Sequence, residues 1–258
     1  MKYLASSTNG AQAFLIFSLI MSLIGFVTYG IDLQIVGLIV LGYFVYGSLG
    51  IVATFHRNLT HQSYKTHPYI VKLFSFFGSL AGTGSPIAWV AIHLCHHLKS
   101  DKKDDPHSPL YQGLNVFKLD YESGVDDEVK WRMRDLITNR YQQFLHRYYF
   151  GIIALWSIAL LLIGGPYLMI FGHLAPAAVT AVMSNVVNYI GHKPNSLGSF
   201  RTYNTPDQSA NNWLWAIPSW GETWHNNHHR HPRNFSCGQK WWQIDITAYV
   251  IRMIRMKG

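Results

Sequence analysis

The chain has 258 residues, of which 49% are hydrophobic and only 13% charged, with a formal net charge of +8. Soluble domains carry roughly 25% charged residues, so the shortage points to lipid. The basic residues avoid the long apolar stretches, so their excess marks membrane topology and not nucleic acid. Two cysteines, Cys95 and Cys237, are too few for a disulfide framework, a thiolate zinc site or an iron–sulfur cluster, and fit a reducing, cytoplasm-facing environment.

No Lys or Arg occurs between Tyr3 and His56. Two apolar runs fill this stretch, 11–30 and 33–55, each near the ~20 residues that cross a bilayer. They read as a transmembrane hairpin turning at Tyr29-Gly30-Ile31-Asp32. One lysine, Lys2, precedes the first run and no small-residue cleavage site follows it, which predicts a retained anchor. The turn carries no positive charge, whereas Arg57, Lys65 and Lys72 follow the second run, so the positive-inside bias puts both hairpin ends in the cytoplasm. A second pair, 150–171 and 174–191, lies in a stretch again free of Lys and Arg, flanked by Arg147 and Lys193. The stretch 73–92 is apolar too, but Gly78, Gly82, Gly84 and Pro86 interrupt it, which predicts a place at the interface. A crossing there would put the histidines before and after it on opposite faces. Residues 99–147 are polar, with a turn at Asp104-Asp105-Pro106 and a helical pattern from Asp126, while the tail 240–257 reads as an amphipathic interfacial helix. The expected fold is therefore all-α: one polytopic membrane domain, 1–258, with four transmembrane helices and a cytosolic helical cap, 56–147 and 192–258, carrying a two-metal site.

Eight of the fourteen histidines fall into three groups: His56 and His61; His93, His96 and His97; His225, His228 and His229. In a helix, residues at i, i+3 and i+4 share one face, so each H-x-x-H-H presents three imidazoles toward a common point. His56 and His61 are five apart, so the helix is expected to end or bend between them. One ion takes three or four protein ligands, so eight or more imidazoles imply two ions. Imidazole suits Fe, Zn, Cu and Ni alike, which leaves the metal open at this point. At the cytosolic end of the last span, His192 is expected as a further ligand, with Asn188 one turn earlier as a water-mediated or outer partner; a capping histidine is the alternative. Only Glu222 has Glu-x-x-His spacing, to His225, so a carboxylate-bridged bundle is excluded and Glu222 is expected to hold a ligand's free ring nitrogen. His67, His146, His173 and His231 read as surface or outer residues, and His107 as a turn residue that orients its neighbours.

The motifs His56-Arg57-Asn58-Leu59-Thr60-His61, His93-Leu94-Cys95-His96-His97 and Gly221-Glu222-Thr223-Trp224-His225-Asn226-Asn227-His228-His229 resemble those of membrane fatty-acid desaturases of the Δ9 acyl-lipid and acyl-CoA type. Trp89, Asp105-Pro106-His107, Asn188 with His192, and Trp241-Trp242-Gln243-Ile244-Asp245 extend the resemblance from the second span to the C-terminus. It implies two iron ions (Fe2+) held by the nine histidines, O2 as oxidant, two external electrons, and a cis double bond at Δ9 formed with water. It also implies a bent apolar tunnel for the acyl chain, with Trp89 and Ser184 lining the bend and Val40 and Phe44 at its floor; ordinary helix packing or lipid contact is the alternative for that pair. Ala91 stands where the acyl-CoA branch has an arginine, and no basic pair follows the Asp-Pro-His segment, which favours an acyl-lipid over an acyl-CoA substrate. Electrons are expected from a separate donor such as ferredoxin or cytochrome b5. Lys99, Lys102, Lys103, Arg230 and Arg233 could dock it or face solvent and head groups. No nucleic-acid partner is expected. The rival readings are a hydroxylase or ketolase acting on an alkane, sterol or carotenoid and, more remotely, a metal transporter or storage protein, whose ligands would lie near the bilayer midplane. The expected setting is a multi-pass membrane protein with both termini and the site cytosolic.

Overall fold

A computed structural model describes residues 2–119 and 125–256, with side chains described from Gly10 onward. In chain order the helices are α1 (Lys2–Tyr29), α2 (Leu33–Tyr43) continued by a π-helix (Phe44–Thr60), α3 (Pro68–Leu80), α4 (Pro86–Lys99), α5 (Pro109–Gln112), α6 (Asp127–Arg132), α7 (Arg134–Thr138), α8 (Arg140–Arg147), α9 (Tyr149–Met169), α10 (Ala175–Gly191), α11 (His225–Arg230) and α12 (Ile246–Ile254). One short antiparallel ribbon pairs Ser199 with Asn212 and Phe200 with Asn211.

The first hairpin forms as its sequence dictates. Gly30 turns the chain at φ +75°, and the Asp32 carboxylate caps α2 by accepting the Ile35 N–H at 2.7 Å. Outward-facing Val27 (80% exposed), Leu33 (87%) and Leu162 (80%) lie on helices whose other faces pack together. Apolar side chains displayed this way on 20- and 28-residue apolar helices, Gly10–Tyr29 and Leu33–Thr60, are solvated by lipid and not by water.

The third apolar stretch, Tyr149–Gly191, has 43 residues, about twice what one crossing needs. It is broken at Gly164 (φ −138°) and Gly165 (φ +66°), immediately before Pro166. Ser157 and His173 lie 2.8 Å apart through Oγ and Nδ1, whereas a straight helix would separate them by about 24 Å. The chain therefore doubles back at 164–165. This corrects the expected division into 150–171 and 174–191: Ile170–Leu174 is a π-turn within the returning helix, not a loop. His173 is corrected with it. Its ring is fully buried, donating from Nε2 to the Leu80 carbonyl at 3.1 Å and accepting from Ser157.

The stretch expected at the interface is two helices, α3 and α4, joined through Gly82 (φ +75°) and Gly84 (φ +117°). α3 lies backbone to backbone against the π-helix, so that a Cβ on Gly50 would stand 2.4 Å from the Gly78 nitrogen. On α4, Ile87, Val90, Ala91 and Leu94 pack with Val129, Met133 and Leu136 and hold α6 and α7 in the cap. His146 is tied to Ser85 at 2.5 Å. The tail helix is shorter than the expected 240–257: α12 starts only at Ile246, where Asp245 caps it by accepting the Ala248 N–H at 2.9 Å. Trp241 precedes it in a loop, 93% exposed.

Candidate metal centre

The π-helix ends on His61, whose N–H reaches the His56 carbonyl five residues back at 3.1 Å. The widened i→i+5 repeat brings both rings to one end of the helix. The expected end or bend between the two histidines does not occur: the helix runs on through Thr60 and accommodates the five-residue spacing by widening.

The two H-x-x-H-H triplets do not each converge on one point. At about 100° per residue, His97 leads His93 by about 40° while His96 trails it by about 60°, so the i, i+4 pair shares a direction that the middle histidine does not. α11 repeats the division with His225 and His229 against His228. Each triplet thus gives two rings to one ligand group and one to the other: His56, His61, His93, His97 and His228 form the first, His96, His192, His225 and His229 the second, with all ligand atoms in each group within 4.8 Å. Nε2–Nε2 separations run 3.0 Å (His56–His228), 3.2 Å (His61–His93), 3.1 Å (His93–His97) and 3.1 Å (His97–His228) in the first group. They are 3.0 Å (His192–His225) and 3.1 Å (His225–His229) in the second. The groups abut, the rings of His97 and His229 stacking at 4.6 Å.

Carboxylates fix which nitrogen faces inward. Nδ1 of His56 meets Glu222 at 2.5 Å, that of His96 Asp105 at 2.8 Å, that of His192 Asp101 at 2.8 Å and that of His229 Asp207 at 2.7 Å. An Nδ1–H donated to a carboxylate leaves the Nε2 lone pair free. Burial opposes ionisation of these acids, but the facing imidazoles and N–H donors outweigh it. Asp101, Asp105 and Asp207 are held below the usual carboxylate range and Glu222 is brought to about 2. Burial, then repulsion among the rings, pushes His61, His93, His97, His225 and His228 well below the usual imidazole range, so they are neutral near pH 7. At His96 the Asp105 charge outweighs burial and raises it.

The rings whose Nδ1 protons the carboxylates hold turn Nε2 lone pairs inward, and neighbouring Nε2 atoms stand only 3.0–3.2 Å apart, a spacing that a cation between them satisfies. Metal–imidazole bonds of about 2.0–2.1 Å give nitrogen–nitrogen edges of about 2.9 Å at right angles and about 3.4 Å at tetrahedral angles, which bracket these distances. Both groups therefore fit a transition-metal ion, and nine imidazoles, six of them buried, with outer carboxylates are a donor set suited to iron among others.

The expected ligands all come together. Glu222 meets a ring nitrogen of one of these histidines, His56. Sequence reasoning missed Asp101 and Asp207, which reach His192 and His229 from 91 and 22 residues away. It also took Arg57 for a topology charge. Arg57 is buried, donating from Nε (3.1 Å) and Nη2 (2.7 Å) to Glu222 and from Nη1 to Asp245 (3.0 Å) and the Phe235 carbonyl (2.8 Å). The adjacency of His56 and Arg57 in one helical turn was the available signal.

A narrow cavity opens beside the centre, walled by Tyr43, Ile51, Trp89, Ile92, Met183 and Val187. His56 and His93 of the first group and His225 of the second reach its surface. Trp89 stacks on His93 at 4.9 Å, and Ser184, Asn188 and His107 also line the wall. The Asn188 side chain makes no hydrogen bond among the described residues; its carbonyl accepts the His192 N–H at 3.2 Å. Phe44 reaches the cavity only through Trp220, which it meets edge-on at 5.4 Å. Val40 is 52% exposed on the outer face and lines no part of the cavity, so the structure does not place it at a tunnel floor.

Comparison with known proteins agrees with this geometry. Residues 33–254 match the model of the fatty acid desaturase family. The chain is 32% identical to an sn-1 stearoyl-lipid 9-desaturase of Anabaena variabilis over 92% of its own length and 86% of the relative's. It is 35% identical to an acyl-CoA C20 Delta5-desaturase of Anemone leveillei (84% and 69%) and 35% identical to Delta-9 acyl-lipid desaturase 1 of Arabidopsis thaliana (82% and 70%).

Proposed function

We propose, from the premise that this chain belongs to the fatty acid desaturase family, that it places a cis double bond at Δ9 in the saturated acyl chain of a membrane lipid, using O2 and two iron ions held by its nine histidines. The observation that carries this reading is the cavity: an apolar slot into which ligands of both histidine groups project. His56, His61, His93, His97 and His228 would hold one ion, and His96, His192, His225 and His229 the other. Bound iron supplies the O2-derived oxidant needed to remove hydrogen from an unactivated methylene, which no acid–base side chain can do.

The protein's own residues do the rest. Trp89, stacked on His93, and Ile51, Ile92, Met183 and Val187 form a wall that fixes an alkyl chain beside the ligands and keeps water out. Asp101, Asp105, Asp207 and Glu222 keep the Nδ1 protons in place, so four rings hold one tautomer throughout. Ala91 is buried within α4, which leaves no side chain there to meet a CoA head group and favours the lipid substrate. Chain reversals at Gly30 and at 164–165 support four spans, and His56 and His192, at span ends, must share one membrane face to meet their partners. The basic residues beyond those ends make that face cytosolic. Electrons come from a separate donor, ferredoxin or cytochrome b5 in type.

The test is expression in cells that lack their own desaturase, with analysis of the lipid fatty acids. A new cis-Δ9 monoene, absent with His228→Ala, is the expected result. A hydroxylated or keto product without alkene would overturn the reading, and a double bond elsewhere would overturn Δ9.

A further inference from the structure

We propose that the two groups hold iron unequally: the four-histidine group, His96, His192, His225 and His229, binds Fe2+ at least about 100-fold more tightly than the five-histidine group, because its anchoring carboxylates are not neutralised. This rests on the reading that both groups hold iron.

Three of the four rings in that group lean on a carboxylate. Asp105 is otherwise satisfied by the N–H groups of Asp101 and His107, both at 2.8 Å. Asp101 accepts from Ser108 Oγ and the Gln208 N–H, both at 2.6 Å. Asp207 accepts from Thr205 Oγ1 (2.7 Å), Ser209 Oγ (2.6 Å) and the Ser209 N–H (3.0 Å). Every one of these donors is neutral. Arg201 lies close, but gives its N–H groups to the main-chain carbonyls of Asp207 and Thr205 and to the Thr205 hydroxyl. Among the described residues no Lys or Arg forms an ion pair with the three acids. The group thus stands in the field of three formal negative charges.

The five-histidine group is different. Among the described residues its one carboxylate is Glu222, and both Nε and Nη2 of the buried Arg57 bond the same Oε1. Asp245 brings the Arg57–Glu222–Asp245 unit to a net charge of −1, but it sits across the guanidinium from His56 and also takes the Cys237 N–H at 2.8 Å. A doubly charged ion in a dry site responds strongly to such a difference. Each outer partner is worth about 10- to 100-fold in metal affinity, so an excess of two carboxylates compounds to at least about 100-fold. The fifth imidazole of that group is a neutral donor and adds no charge to set against this.

The experiment is anaerobic dialysis of the purified full chain in detergent against chelator-buffered Fe2+ over a wide range, with iron per chain read by elemental analysis. Two steps are expected, with plateaus at one and two ions and midpoints at least about 100-fold apart. Asp207→Asn, which keeps the hydrogen-bond acceptor and removes the charge, should weaken the tighter step about 10- to 100-fold, and Glu222→Gln should act on the weaker one. A single step rising to two ions overturns the inequality while leaving the iron reading intact. Weakening of the second step alone by Asp207→Asn overturns the assignment. Failure to bind iron at any concentration overturns the proposed function and this inference together. The unaltered protein decides the inequality by itself, whatever the variants do to folding.

Discussion

Replacing Gly50 by alanine tests how the membrane helices set the metal centre. The added Cβ would lie 2.4 Å from the Gly78 nitrogen, 2.5 Å from its Cα and 2.9 Å from the Phe77 carbonyl carbon, all main-chain atoms that cannot swing aside. Carbon contacts settle at about 3.5–4.0 Å, so the π-helix and α3 must part by about 1 Å. Overpacking of this kind costs about 1–3 kcal/mol, and alanine's better helix propensity returns about 0.5–1 kcal/mol. The net cost is up to about 2.5 kcal/mol, so at roughly 2–4 °C per kcal/mol the thermal midpoint in detergent should fall by up to about 10 °C. The displacement also travels: α3 runs through Gly82 and Gly84 into α4, which must keep His93 and His97 at 3.1–3.2 Å from their partners. Metal content should fall with the midpoint. Gly37→Ala is the control, because nothing lies within 4 Å of its Cβ position; it should leave the midpoint unchanged or raise it. A Gly50→Ala protein that melts at or above the unaltered protein with its metal complement intact would refute the argument.

Three further outcomes follow from the site. His228→Ala removes a ring that lies 3.0 Å from His56 and 3.1 Å from His97, and should abolish alkene formation and weaken iron binding in the five-histidine group. Ser184→Phe narrows the cavity wall and should shift product toward shorter chains, whereas Val40→Ala, on the lipid-facing side, should leave the chain-length profile unchanged in the same lipid analysis. Glu222 has a folded value near 2 against an ordinary value of 4.5, so its stabilising contribution is fully present above pH 4.5 and is lost as pH falls toward 2. Thermal midpoints of metal-free protein should show Glu222→Gln at a constant deficit from pH 7 to pH 5, with the gap closing below; a deficit that grows on acidification would contradict this.

The ligands were legible in the sequence because their chemistry is local: a helix with histidines at i, i+3 and i+4 advertises itself. The division of each triplet between two histidine groups was not anticipated, although the angular positions of His96 and His97 already contain it. Glu222 was found through its spacing but its ring could not be named, since the partner is set by a contact across 166 residues, from His56 to Glu222. Asp101 and Asp207 could not be found that way at all, because nothing local distinguishes them from other loop acids. The turn at 164–165 was available in Gly164-Gly165-Pro166, but uniform hydrophobicity on both sides hid it behind a division by length. Val40 shows the same limit: on an all-apolar helix, periodicity does not tell a cavity face from a lipid face.

The sharing of each triplet between two groups bears on when metal can first be captured. In this helical geometry no single segment offers one ion more than two rings: His56 with His61, His93 with His97, or His225 with His229. The first group is complete only when segments from position 56 to position 228 have met, and the second only when 96 to 229 have. A chain still emerging from the ribosome, with α4 made and α11 not, already carries four rings of the first group but at most His96 and His192 of the second. Completion of the second group is therefore deferred until α4, α10 and α11 have docked, and a metal held there would clamp together parts of the chain that are distant in sequence.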